Sequence, residues 1–334
     1  MKVTKQLCLS LLVLFSMLYD VQAADYRSEM RAFVQAISRH ARAQRSDFIV
    51  IPQNGAEIVT FDGTVTGEPV KAYLDAIDGI GQEDLFFGYD KDDVATPKSA
   101  RKWIMGFLDI YKKAGRIVLV TDYCHTHGKV DQSIKSSEQR GYIPFPAPKR
   151  DLNAIPDYPA EPVHGNRRDI TKLSDAANFL YIINPERYKT KKAFIDAVSV
   201  TNYDAVIVDA FFNDSLLVRD DIARLQYKRN GGRRLVIAYM SIGEAEDYRF
   251  YWRNEWKRKR PSWLGKENPR WKGNYKVRYW EKGWQSIIYD SRDAYLQKIL
   301  DAGFDGVYLD IIDAFEYFEK NEPSPSSPVL LRIE

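Results

Sequence analysis

Cysteine is nearly absent from this chain. Two occur in 334 residues, Cys8 and Cys124. Cys8 falls in a stretch that reads as a leader, so no intramolecular disulfide can staple the mature protein. Stability must come from a buried core, which a chain of this length can supply. Histidine is scarce too, with four residues. No G-x-S-x-G, Walker A or G-x-G-x-x-G pattern occurs, so a serine hydrolase or a nucleotide enzyme has no local support. Excess charge is also missing. The 49 Lys and Arg against 46 Asp and Glu leave a formal +3, which gives no case for a nucleic-acid partner. The basic stretch from Arg253 to Arg260 reads as a solvated helix face. Long apolar runs are limited to Leu7–Leu18, twelve residues that are too few to span a bilayer.

That run has the build of a secretory signal. Lys2 and Lys5 supply its positive start, and Val21-Gln22-Ala23 satisfies the small-residue rule for cleavage. Met1–Ala24 is therefore expected to be removed. The mature protein is expected to be secreted or periplasmic, with no membrane anchor. Its oligomeric state is left open.

What the chain does have is a repeated strand ending. Gly303 to Tyr317 reads GFDGVYLDIIDAFEY. A Gly turn leads into the short apolar run Val307–Leu309, long enough for a buried strand and too short for a helix. Asp310 and Asp313 come where that strand should stop. In a parallel α/β sheet such positions line the ligand crevice. Asp310 thus reads as functional, and Asp313 as the cap of the next helix. Similar runs end on polar groups at Asp47–Asn54, Arg116–Asp122, Tyr203–Asp209 and Arg234–Glu244. Strands are expected near residues 48, 85, 118, 180, 206, 236, 287 and 307, with helices between most of them. That alternation implies parallel pairing, and eight such units suggest an α/β (β/α)8 TIM barrel. Pro144 to Pro162 holds six prolines and little periodicity. It could separate two domains, but neither half has strands enough to stand alone. The expected organisation is one barrel over 25–322, with 156–174 a Pro-rich linker and 323–334 a frayed tail.

On this reading Asp310, Glu83, Asp209, Glu244, Asp122 and Asp290 lie at or near the ends of six strands. Carboxylates crowded in one low-dielectric mouth cannot all ionise, and one becomes a general acid beside a charged partner. Glycoside hydrolysis needs such a pair. Taken singly, each acid could instead cap a helix or pair with Arg. Six of the seven Trp (Trp252, Trp256, Trp263, Trp271, Trp280, Trp284) fall in one irregular stretch. Their indole faces could stack on sugar rings or hold an aminosugar cation, or could form the core of a loop subdomain. Cys124, His125 and His127 are too close together for good metal geometry without a distant fourth ligand. A metal-dependent deacetylase would have to recruit His40, on a predicted helix, and His164, in the linker. No metal or cofactor is expected.

The stretches FIVIPQNGAEI, DGIGQEDLFFG, VIVDAFF, IAYMSIGEAEDYRFYW and GFDGVYLDIIDAFEYF resemble glycoside hydrolase family 114, a (β/α)8 barrel family whose characterised members are endo-α-1,4-polygalactosaminidases. The resemblance covers nearly all of 28–155 and 175–320. The order departs from the family's. The half that usually comes second stands first here, at 28–155, and the usual first half follows at 175–320, so the chain looks circularly permuted. Residues near 28 and 320 should then be neighbours. The resemblance implies the catalytic acids Asp310, as nucleophile or stabilising carboxylate, and Glu83, as general acid/base. It implies the substrate ligands Asp209, Tyr239, Glu244, Gln53, Asn54 and Tyr123, to which Asp122 and Trp280 are added from the strand-end and aromatic patterns. The expected function is a secreted hydrolase of an α-linked aminosugar polysaccharide. The alternative is a non-catalytic carbohydrate-binding barrel.

Overall fold

The computed structural model describes residues 25–322. The expected leader (1–24) and tail (323–334) lie outside the described residues. Eight parallel strands carry the fold: β1 (Ile49–Pro52), β2 (Gly79–Glu83), β3 (Ile117–Tyr123), β4 (Ile143–Ala147), β5 (Phe179–Ile182), β6 (Ala205–Asp209), β7 (Leu235–Ser241) and β8 (Gly306–Asp310). They form a five-stranded sheet, in the order β1-β8-β7-β6-β5, and a three-stranded sheet, β2-β3-β4. A parallel bridge between Gln53 and Gly81 ties one sheet to the other. There the Asn54 N–H donates to the Gly81 carbonyl at 2.8 Å. The strands are short, Val/Ile-rich and buried on both faces, as parallel strands under helices must be.

The helices supply that cover. In α1 (Tyr26–Gln44), Met30, Phe33, Val34, Ile37 and Ala41 recur at helical spacing and are buried. Asp25 caps its start by accepting from the Ser28 N–H at 3.1 Å. In α2 (Lys98–Lys113), Ile104, Phe107, Leu108 and Tyr111 make the same stripe.

Two sequence expectations fail, for local reasons. The strand expected near 287 is instead the helix Lys282–Ile288, which buries Trp284 and Ile288, one turn apart. Asp290 therefore stands at no strand end. The eighth strand is β4, whose sequence IPFPA falls in the Pro-rich stretch and was not expected to pair. Its prolines fit because they alternate. Ala147 turns its carbonyl toward β3, where it accepts from the Cys124 N–H, so Pro144 and Pro146 face the opposite edge, where no N–H is needed. On that edge β4 meets β5 through side chains, with the Phe145 and Phe179 rings 5.4 Å apart.

The linker (156–174) is an anchored strap. Pro156, Pro159 and Pro162 lie along the β4–β5 seam beside Phe145, Phe179 and Tyr203. Its far end is held by a fully buried ion pair, Lys228 Nζ to Asp204 Oδ1 at 3.0 Å. Asn166 donates to both Asp204 oxygens, at 3.1 and 2.9 Å, and Lys228 also donates to the Arg168 carbonyl at 2.8 Å. The first and last described helices touch. The Tyr26 hydroxyl donates to the Glu322 carbonyl at 2.9 Å, and Arg27 grips both Glu319 oxygens, at 2.7 and 3.1 Å.

Removing one member of a buried pair strands the other charge. Asp204→Ala should cost about 3–5 kcal/mol in urea unfolding, while Ala at the exposed strap residue Arg167 should stay within about 0.5 kcal/mol of the parent.

Candidate active site

Side chains alternate along a strand, so Tyr308 and Asp310 of β8 share one face, as do Gly81 and Glu83 of β2. Asp310 is half-buried at the end of β8. The Tyr239 hydroxyl, from the neighbouring β7, donates to its Oδ2 at 2.6 Å, and the Ile311 N–H donates to its Oδ1 at 2.7 Å. The second bond requires an unusual backbone. Ile311 has φ +60°, a conformation that β-branched residues rarely adopt. Gly243 leaves room for it, since a Cβ there would stand 2.1 Å from the Ile311 carbonyl oxygen. Strain of this kind persists where the surroundings enforce it, commonly at functional sites.

Glu83 sits across β1 from Asp310. Asn54 Nδ2 donates to Glu83 Oε2 at 2.9 Å, and the Tyr123 hydroxyl donates to Oε1. Asn54 is itself fixed. Its Oδ1 accepts from the Glu83 N–H at 3.0 Å and from Gln82 Nε2 at 3.3 Å. Its φ of +60° is one that Asn tolerates. Burial first, and then the charge of Glu83, pushes the Asp310 carboxyl up to about 8. The bonds from Tyr239 and Ile311 pull the other way and lose. At neutral pH Asp310 therefore keeps its proton.

Asp313 joins this mouth. The expected cap is not made, since its side chain bonds no helix N–H. Burial, followed by the charge of Glu316, raises it to about 6, while Lys276 draws it down. Glu244 is buried, and its Oε1 accepts from Lys276 Nζ at 2.5 Å and from Asn268 Nδ2 at 2.8 Å. Both partners come from the antiparallel ribbon of Glu244–Glu246, Leu264–Glu267 and Asn274–Val277, which rises from the end of β7.

The other candidates mostly hold the frame. The Asp209 oxygens are gripped by Arg249 at 2.8 and 2.7 Å, and Arg249 also reaches Glu246 at 2.5 Å. Asp209 thus anchors the base of the ribbon. Gln53 is buried and accepts from the Tyr181 hydroxyl at 2.9 Å. Two candidates are overturned. Asp122 points away from Tyr123, its neighbour on β3, and takes bonds from the Phe86 N–H, the Phe87 N–H and Ser133 Oγ at 2.8, 3.2 and 2.6 Å. It is fully buried and organises the loop after β2. Trp280 packs against Tyr26, Tyr279 and Phe318, with centroids 5.1, 5.0 and 4.8 Å away. It belongs to the core beside α1.

The rest of the Trp cluster is largely loop core as well. Trp252, Trp256, Trp263 and Trp284 form a chain of ring contacts at 5.1–5.4 Å, and Trp271, 57% exposed, stands out from it. The Cys124 thiol is buried, and that burial, with Asp122 and Asp93 adding to it, raises its pKa far above the range of a ready nucleophile. His127 stacks on Tyr158 at 3.8 Å. No group of three His, Cys, Asp or Glu suited to a metal occurs among the described residues.

Sequence reasoning missed the cations. Lys276 and Arg249 lie in irregular chain where no periodicity marks them. Arg150 was also missed. It bonds both Asp84 oxygens at 3.1 and 2.9 Å and lies 3.9 Å over the Tyr123 ring, bracing the residue that donates to Glu83.

Comparison with known proteins bears on this site. An uncharacterized protein of Methanocaldococcus jannaschii is 40% identical over 156 residues, 47% of this chain and 42% of that protein. Uncharacterized proteins of Thermotoga maritima and Deinococcus radiodurans are 51% and 40% identical over 82 and 122 residues, covering 25% and 36% of this chain and 24% and 37% of theirs. The chain thus spans less than half the length of these relatives. The crystal structure of Aspergillus fumigatus Ega3 in complex with galactosamine matches with 22% identity and a TM-score of 0.29, over 47% of this chain and 50% of that one. The sequence profile of glycoside-hydrolase family GH114 matches residues 159–326, a span that includes Asp310, Tyr239, Glu244 and Asp209 but not Glu83. That match takes in half of the chain, and the protein belongs to glycoside-hydrolase family GH114.

Proposed function

We propose that this glycoside hydrolase is exported and cleaves an α-linked, aminosugar-containing polysaccharide with the pair Glu83 and Asp310. The observation that carries this reading is the pair itself: two carboxylates on strands flanking β1, each fixed by two donors, with Asp310 raised to about 8. Glycoside hydrolysis needs one carboxyl to protonate the leaving oxygen and one carboxylate at the sugar carbon. A singly protonated pair supplies both. The sequence had given the acid role to Glu83. Burial puts the resting proton on Asp310, and the proton passes between the two as the roles require. Asp313 adds negative charge beside the pair, which favours a sugar carrying an ammonium group. Asn54, Tyr123 and Tyr239 then act by fixing the two acids.

The two sheets are arcs of one (β/α)8 barrel in this reading. The Gln53–Gly81 bridge joins them on one side. The Phe145–Phe179 contact and the proline strap fill the other. The family match begins at residue 159, and α1 touches the end of the last helix, which is what a circularly permuted barrel requires. Export rests on the charged start, apolar run and small-residue site in 1–24.

A reducing-end assay on partly deacetylated galactosamine polymer tests the activity. Release of ends by the wild type, with Glu83→Gln and Asp310→Asn each reduced about 10²-fold or more, is the expected result. Binding without release would favour a non-catalytic carbohydrate-binding barrel, and full activity in either variant would remove the pair from the mechanism.

The raised Asp310 pKa also sets two pH effects. Activity that needs the shared proton should fall as pH rises through about 8. Stability follows the same sign. The folded pKa lies above the unfolded one, so the protonated form favours folding, and its contribution is lost as pH rises from about 4 through about 8. Asn at 310 keeps an oxygen for the Ile311 N–H and carries no charge. At pH 8 Asp310→Asn should therefore melt several degrees higher than the wild type, while the two should converge below pH 4. A lower melting point for the variant at pH 8 would contradict the assignment.

A further inference from the structure

Tyr308 is fully buried, and its hydroxyl oxygen has no hydrogen-bond partner among the described residues. A buried hydroxyl without a partner costs about 1–3 kcal/mol. Phe would fill the same space without that cost. The fold also makes room for this oxygen. A Cβ on Gly81 would lie 1.8 Å from it, so β2 lacks a side chain where the hydroxyl arrives. Gly81 stands two residues below Glu83, and Tyr308 two residues below Asp310. The hydroxyl therefore lies one layer beneath both acids. Burial, then the charges of Glu83 and Asp310, raises the phenol's own pKa, so it remains a donor. The neighbouring polar groups are already engaged. Tyr181, whose ring is 5.1 Å away, donates to Gln53, and Tyr239 donates to Asp310.

We propose that the Tyr308 hydroxyl is a positioning donor for the Glu83–Asp310 pair, free in the resting site and hydrogen-bonded to the pair once it has passed its proton to the leaving sugar oxygen. Tyr308 keeps its own proton throughout. The proton delivered to the leaving group comes from the pair and is restored from the attacking water. The glycosidic C–O bond breaks as the other carboxylate engages the sugar carbon, and the Tyr308 bond forms to the carboxylate that the proton has just left, an acceptor that is neutral in the resting pair, so it favours the later state over the earlier one. This inference rests on the carboxylate-pair reading above.

The test uses Tyr308→Phe and, as a second variant that keeps the hydroxyl, replacement of Tyr308 by 3-fluorotyrosine, a stronger donor. Loss of the donor should lower kcat about tenfold or more with KM little changed, and should move the alkaline limb of the pH profile upward by about half a pH unit or more. The fluorinated residue should move the limb downward. A purely structural role would alter stability without moving the limb in opposite directions. Carboxylate carbon NMR titration of Glu83 and Asp310 in the wild type and both variants reads the same shifts without substrate. If the wild type cleaves no aminosugar polymer, the hydrolase reading fails but the titration still decides this one. If Tyr308→Phe does not fold, the fluorotyrosine protein decides it. Titration curves that coincide in all folded forms would overturn the proposal.

Discussion

The site depends on two carboxyl groups held where both cannot be charged. Burial raises Asp310, and the charge of Glu83 raises it further. The fold opposes this with fixed donors, an amide and a phenol on Glu83, and a phenol and a backbone N–H on Asp310. The donors do not cancel the penalty, since Asp310 still stands near 8. What remains is an Asp310 carboxyl that keeps its proton at neutral pH beside Glu83. The cost of that arrangement falls on stability, which is common at sites built for proton transfer.

Most other charges near the mouth are neutralised locally. Arg249 satisfies Asp209 and Glu246, Arg150 satisfies Asp84, and Lys276 takes one oxygen of Glu244. These pairs are partly or largely buried, where the loss of either member would leave a costly charge. Each also joins a loop to a strand end. Arg249 and Lys276 fix the two ends of the ribbon after β7, and Arg150 braces Tyr123, which in turn holds Glu83. The geometry of the acids is thus set in part by ion pairs around the mouth. This is why Asp209 and Glu244, which read as ligands at strand ends, turn out to be supports.

Strands with continuous apolar runs were legible, because burial on both faces leaves a signal within a few residues. Ala205–Asp209 and Gly306–Asp310 are examples. The eighth strand was misplaced because proline carries two meanings. In Ile143–Ala147 it removes only the N–H groups that the edge did not need, a fact that depends on which neighbour lies on which side. The helix at Lys282–Ile288 failed for a related reason, since the three-residue apolar run Ile287–Tyr289 does not distinguish one helical turn from a strand. At the site, Asp310 and Glu83 were legible as strand-end acids supported by a family resemblance. The outward turn of Asp122 was legible in principle, because it and Tyr123 cannot share a face. The packing of Trp280 was not, since it depends on α1 and the last helix, which lie far away in sequence.

The family match covers only the second half of the chain, yet the pair draws one acid from each half. β1 and β8 settle how the halves combine. Their ladder pairs Ile49–Pro52 with Gly306–Leu309, in register and parallel. β1 carries Asn54 just beyond its end, and Asn54 is the residue that fixes Glu83. Separating the halves would break the central ladder of the five-stranded sheet, expose Val50, Ile51, Val307 and Leu309, and strip Glu83 of its amide donor. Either half alone would keep one acid without the other. A mechanism that uses both acids would therefore require both halves, whichever is written first.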